Sequence, residues 1–422
     1  MSGPKLHRLT NGATLVCDPV AGYETLALSV VAGRGARWED EPRGGWSHLL
    51  EHMVFKGAGG RTAREIVETI EAEGGQINAA TGQERTSFQV RALAGGLPLA
   101  MAVSADLIRR PTLDAEDLAK EVQVVSQEIA EAADTPDDLV FELAHAAAFA
   151  NQPLGRPILG VVQTISAADP ASLEAWRARL YAPDRLVIAA AGAVDEDEFL
   201  RLAEAAFGDA AGEEVVAAPA PGAFTGGPAR QARRLEQAHL VFLLPAPAVG
   251  DADHWAARLF AEMLGGGMSS RLFQEARERL GLAYAIDAWA EAYADVGVIG
   301  IYAGCAAKDA GRLAEVAATE ILNLARAAED SELARAKVQL KASLFMGRES
   351  LAARAEMAAA QQLAFGRLLE PAEMASAIDV VSQPDIARLA RRVLEPRRCT
   401  VSTLGPKAAM AAPARFEGRL FG

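Results

Sequence analysis

The strongest constraint on the fold is that the chain runs twice through nearly the same order of elements. The first pass opens with a strand pair, residues 5–9 and 14–17, joined by a turn at Asn11-Gly12. An apolar strand follows at 25–32, then an apolar helical stretch, a helix at 63–73 stopped by Gly74-Gly75, and an alternating strand region at 76–93. The second pass opens with a strand at 239–244, a helix at 255–264 and a break at Gly265-Gly266-Gly267. A helix at 271–280 and strands at 283–290 and 297–302 complete its opening. Long helices come next, 117–133 and 139–149 in the first pass, 331–345 and 351–365 in the second. Each pass closes on a helix and a strand, 172–180 with 186–191 and 386–393 with 399–404. Strands grouped with helices, rather than alternating strictly with them, favour an α+β architecture with helices packed on one face of each sheet. An internal duplication of about 200 residues is the economical explanation.

The boundary falls where Pro, Gly and Ala remove any helical or strand period, at 210–230, AAGEEVVAAPAPGAFTGGPAR. This predicts an N-terminal domain at 1–210, a linker at 211–230 and a C-terminal domain at 231–422. A chain of 422 residues has room for two cores. Its formal net charge of −14 argues against a nucleic-acid surface and leans toward neutral or basic partners. Cys17, Cys305 and Cys399 have no close spacing, so they read as buried fillers in a reducing compartment. No apolar segment follows Lys5, His7 and Arg8 near the start, and no apolar run of 18 residues occurs anywhere. Neither a signal peptide nor a transmembrane helix is expected, and the cytoplasm is the default location.

Chemistry concentrates in one short run, His48-Leu49-Leu50-Glu51-His52. On a helix, positions 48, 51 and 52 share a face. Two imidazoles one turn apart can hold a divalent metal, with the glutamate beside a bound water. H-x-x-E-H is the reverse of the H-E-x-x-H zinc peptidase motif. Leu49, Leu50 and Met53 suit an ordinary amphipathic helix equally, so the run alone leaves both readings open. The matching helix of the second half, near 260–264, carries no histidine. One half would then hold the chemistry while the other helps form the cavity.

A catalytic zinc commonly has three protein ligands and one open position. Carboxylates for the third place are found on the helix at 117–133, as Glu121, Glu128 and Glu131. Glu121 and Glu128 lie two turns apart and share a face, with Val125 between. A solvated helix would also carry glutamates. His7, His145, His239 and His254 show no ligand spacing and read as structural.

Glu128 stands 76 residues after His52, and in this spacing the chain resembles the pitrilysin family of inverted-motif zinc metallopeptidases. That family includes insulin-degrading enzyme and the mitochondrial processing peptidase. The resemblance runs through GWSHLLEHMVFKG at 45–57, GGQINA at 74–79 and EVQVVSQEI at 121–129. In the second half it reaches Ser270-Arg271-Leu272 and Arg277 through Tyr284. It implies that His48, His52 and Glu128 bind one zinc ion per chain and that Glu51 is the general base acting on the zinc-activated water. Glu121 would support the ligands, and Arg277 and Tyr284 would reach the substrate. The strand residues Asn78, Ala79, Ala80 and Thr81, small enough to admit another backbone, would hold an extended peptide by β-augmentation. The expected activity is that of a metalloendopeptidase cutting peptides or short unfolded segments inside an enclosed chamber. Two chains would form a clamshell as a homodimer, a heterodimer with a related subunit being the other arrangement. The alternative is a catalytically inactive structural or substrate-binding subunit of the same family.

Overall fold

The computed structural model describes residues 3–210 and 217–422. Among these the strands are β1 (Lys5–Arg8), β2 (Thr14–Pro19), β3 (Thr25–Ala32), β4 (Gly57–Ala58), β5 (Arg61–Thr62), β6 (Gln76–Thr81) and β7 (Thr86–Leu93). They continue with β8 (Leu186–Gly192), β9 (Gly227–Ala232), β10 (Ala238–Ala246), β11 (Ala283–Ala292), β12 (Gly297–Cys305) and β13 (Thr400–Gly405). One sheet has the order β1-β2-β8-β3-β7-β6 and a second has the order β11-β12-β10-β13-β9, while β4 and β5 make a small hairpin. Pairing is antiparallel except for β2 with β8 and β9 with β13. The architecture is α+β in two similar units, mainly antiparallel sheets covered by helices, as the sequence implied.

The units are interleaved in sequence. One comprises Met1–Ala130, Arg156–Pro219 and Met346–Leu369, the other Glu131–Gly155, Ala220–Phe345 and Glu370–Gly422. Each therefore contains a helix from the opposite half of the chain, which a division into 1–210 and 231–422 does not anticipate. The reason is visible in the strands. β8, LVIAAAG, is buried along its whole length, and so is β13. A strand buried at every residue needs cover on both faces.

In the first unit, Leu26, Leu28 and Val30 face a core shared with Leu49, Leu50, Met53 and Met101. The opposite face, with Val16, Val31, Val187 and Ala189, packs on Ala355, Ala358 and Ala359 of helix Leu351–Phe365. Those alanines let the helix approach the sheet closely. Its polar side is tied down by Arg354, which donates to both oxygens of Asp18 at 2.8 and 2.9 Å. Glu356 accepts from Ser29 at 2.8 Å and from Gln89 at 3.1 Å. In the second unit, Val241, Leu243, Val298 and Leu404 pack on Leu139, Val140, Ala144 and Ala148 of helix Pro136–Ala148. Helices thus cover both faces of each sheet, not one.

Two local readings also change. Residues 227–230, assigned to the linker, begin β9, an edge strand parallel to β13. Pro228 is tolerated there because an edge strand leaves one row of N–H groups unpaired. The rest of that linker includes 211–216, which lie outside the described residues. The α-helix expected at 271–280 is a π-helix over Phe273–Arg279.

Candidate metal centre

The motif helix Trp46–Val54 begins at Gly45, whose φ of 90° is left-handed. A Cβ on Gly45 would lie 2.5 Å from the Leu159 carbonyl oxygen, so glycine is required on both counts. No side chain of its own caps this helix. Glu39 does so from outside: its carboxylate, 3% exposed, accepts from Gly45 N at 2.8 Å and Ser47 N at 2.6 Å. Burial pushes the Glu39 carboxyl up to about 7, with the Ser47 and Gly45 bonds opposing. Leu49, Leu50, Met53 and Val54 are fully buried, which leaves His48, Glu51 and His52 on the opposite side of the helix.

Helix Ala115–Asp134 presents Leu118, Glu121 and Val125 inward, and Glu128 continues that stripe. The Glu128 Oε2 atom lies 3.8 Å from His48 Nε2 and 3.6 Å from His52 Nε2. One ligand atom from each of the three residues falls within 4.8 Å of the others. A tetrahedral zinc with bonds near 2.0–2.1 Å would set such atoms about 3.3–3.5 Å apart, and the two distances to Glu128 are close to that spacing. Burial, with His52 adding to it, holds His48 down at about 4, so its imidazole is neutral and able to bind metal at pH 7. His52 Nδ1 donates to Glu121 Oε2 at 3.1 Å, which leaves the lone pair of Nε2 free to bind a metal. The second Glu121 oxygen lies 2.7 Å from Lys56 Nζ.

Glu51 accepts a hydrogen bond from Thr81 Oγ1 at 2.5 Å. Burial raises the Glu51 carboxyl, and the Thr81 bonds and the His52 charge work against that rise. Thr81 ends β6, the edge strand on which Asn78 and Ala80 point outward while Ala79 and Thr81 are half-buried.

The remaining expected site residues form a separate pair in the second unit. The Arg277 guanidinium lies 5.4 Å from the Tyr284 ring centroid and 4.6 Å from that of Phe273. Tyr284 is 79% exposed. Glu131 is not among the converging atoms. Glu39 and Lys56 were not singled out by sequence reasoning. Lys56 follows His52 by four residues, which is a helical spacing, but Glu39 contacts the helix only through the fold.

The family model described as Insulinase (Peptidase family M16) matches residues 20–161, and that described as Peptidase M16 inactive domain matches residues 167–340. The second description agrees with the absence of the histidine motif from that half. An uncharacterized zinc protease of Rickettsia felis is 34% identical over 403 residues, 95% of this chain and 97% of its own length. Another from Streptomyces coelicolor is 34% identical, covering 94% of this chain and 88% of its own. One from Bacillus subtilis is 33% identical, covering 92% and 95%. Among solved structures, a protease from Helicobacter pylori superposes with a TM-score of 0.89 at 20% identity, over 96% of this chain and 99% of that one. A chain of Complex III2 from Candida albicans gives 0.86 at 19% identity, over 99% of this chain and all of that one, and these two likenesses speak for the fold alone. With two family models in chain order and relatives above 30% identity along nearly its full length, the chain belongs to peptidase family M16, the pitrilysin-type zinc metallopeptidase family, in its short bacterial form.

Proposed function

We propose that this chain is a zinc-dependent endopeptidase that hydrolyses peptides or short unfolded segments in an enclosed chamber. The observation that carries the reading is the convergence of His48, His52 and Glu128 beside Glu51, a carboxylate outside the ligand set. A zinc ion held by His48 Nε2, His52 Nε2 and a Glu128 oxygen would supply Lewis acidity toward a water and a peptide carbonyl. Glu51 takes the proton of the attacking water and passes it to the departing amine. The burial that raises the Glu51 carboxyl makes it a stronger proton acceptor than an exposed glutamate. Glu121 keeps His52 in the ligating tautomer. Arg277 and Tyr284 act as donors to the oxyanion, and the open edge of β6 takes an extended peptide through main-chain hydrogen bonds. Two copies close the chamber, and the three unpaired thiols suit a cytoplasmic compartment.

The test is to incubate wild type and Glu51→Gln with a mixed peptide library, read products by mass spectrometry and assay bound zinc. Wild type should cleave, while Glu51→Gln keeps its zinc and loses cleavage. Cleavage by the variant at the wild-type rate would remove Glu51 from the mechanism. Absence of cleavage by both would favour the catalytically inactive subunit.

A further inference from the structure

We infer that Thr81 is a positioning residue for Glu51, holding the carboxylate aimed at the site where water is attacked; the inference rests on the peptidase reading above. The Thr81 Oγ1 to Glu51 Oε2 distance of 2.5 Å falls at the short end expected for a hydroxyl donating to an ionised carboxylate. The main-chain N–H of Thr81 acts on the same carboxylate. Among the described residues, no other group donates a hydrogen bond to Glu51. Without Thr81 the side chain would keep its rotamer freedom, and each turnover would have to find the productive orientation.

The donor itself is rigid. Thr81 pairs with Thr86 across β6 and β7. Next to it, Gly82 N donates to Arg85 O at 2.8 Å, and Gly82 O accepts from Ala36 N at 3.0 Å. A β-branched side chain on a strand has few χ1 options, so the hydroxyl is fixed once the backbone is. Alternation along β6 places Thr81 on the side of Ile77 and Ala79, which pack against the core that also holds the motif helix. The outward positions Asn78 and Ala80 stay clear of this contact. Thr81, grouped by sequence with the residues that would touch substrate, is turned toward the base instead.

The test uses the full-length, zinc-loaded chain with a peptide that wild type cleaves, and compares Thr81→Val with Thr81→Ser. Thr81→Val keeps the shape and removes the donor, so kcat should fall roughly 10–100-fold, the range for losing such an outer partner, while KM and zinc affinity by chelator competition hold. Thr81→Ser should restore most of the kcat. The shift in urea midpoint caused by Thr81→Val should vanish in a Glu51→Ala background, since the partner is already gone. An unchanged kcat in Thr81→Val, a loss confined to KM, failure of serine to rescue, or an equal midpoint shift in both backgrounds would each overturn the inference. If wild type cleaves no peptide, the peptidase reading fails, and the midpoint comparison alone then decides whether Thr81 holds Glu51.

Discussion

His52 Nδ1 lies 3.1 Å from one oxygen of Glu121, and Lys56 Nζ lies 2.7 Å from the other. Glu121 is 4% exposed, so its charge is tolerated because both oxygens are engaged. The carboxylate therefore links Lys56 to an imidazole of the candidate metal centre and fixes which nitrogen of His52 is free. Glu121→Gln keeps the shape but weakens both contacts. Zinc affinity, measured by competition with a chelator, should fall roughly 10–100-fold, as for other residues that orient metal ligands. Lys56→Met should have a smaller effect, because Lys56 is partly open to water, where ion pairs are screened.

Metal binding should also be read out as stability. The three converging ligands come from two helices, Trp46–Val54 and Ala115–Asp134, so an ion bound there clamps them in the folded state only. An excess of free zinc at 100 times its dissociation constant would add about 2.7 kcal/mol. Chelation should lower the Tm of wild type, and re-addition of zinc should restore it. His48→Ala and Glu128→Ala proteins should show little response to either treatment. A Tm insensitive to chelator in wild type would argue against metal at this centre.

The shared face of His48, Glu51 and His52 was legible in the sequence because helical spacing is local: positions 48, 51 and 52 share a face in any helix. The sequence offered three glutamates of one helix as partners, the resemblance pointed to Glu128, and Glu128 is the one whose carboxylate converges on the two imidazoles. Glu39 could not be read in this way, since nothing in its neighbourhood says that it will cap a helix starting seven residues later. The exchanged helices were missed for a related reason. An alanine-rich helix such as Leu351–Phe365 suits any apolar sheet face, and its sequence does not say which sheet it will cover. The signal that existed lay in β8, whose unbroken apolar run LVIAAAG calls for cover on both faces. Leu97–Arg109 escaped as well, because nine of its thirteen residues are buried and a helix apolar nearly all round shows no clear amphipathic stripe. Arg277 was placed on a helix of the wrong pitch, since spacing over seven residues does not separate α from π.

Glu39 should give the motif helix a measurable pH dependence. Its carboxyl is raised from the ordinary 4.5 to about 7, chiefly by burial. Below the unfolded value both states are protonated and the full contribution is present. Between that value and about 7 the unfolded chain has ionised while the folded one still holds its proton, so stability falls as pH rises. Above that range the loss is complete. Glu39→Gln does not titrate, so the urea midpoint of wild type should decline relative to the variant between pH 5 and pH 8. Parallel midpoints across that range would show that Glu39 does not titrate in this way.

The exchanged helix Leu351–Phe365 offers the clearest stability test. Asp18, on β2, is 4% exposed and receives both branches of the Arg354 guanidinium. Paired charges of this kind contribute little net, because desolvation offsets much of their attraction. Removing one partner is another matter, since it leaves the other charge buried and unmatched. Arg354→Leu should therefore cost about 3–5 kcal/mol in urea unfolding. Adding Asp18→Asn to that variant removes the stranded charge and should recover part of the loss, a positive coupling in a double-mutant cycle. The candidate metal centre lies on other elements, the helices Trp46–Val54 and Ala115–Asp134, so zinc affinity of the folded variant should not change. A cost below about 1 kcal/mol would place the pair among ordinary surface bridges and leave the alanine contacts to hold the helix alone.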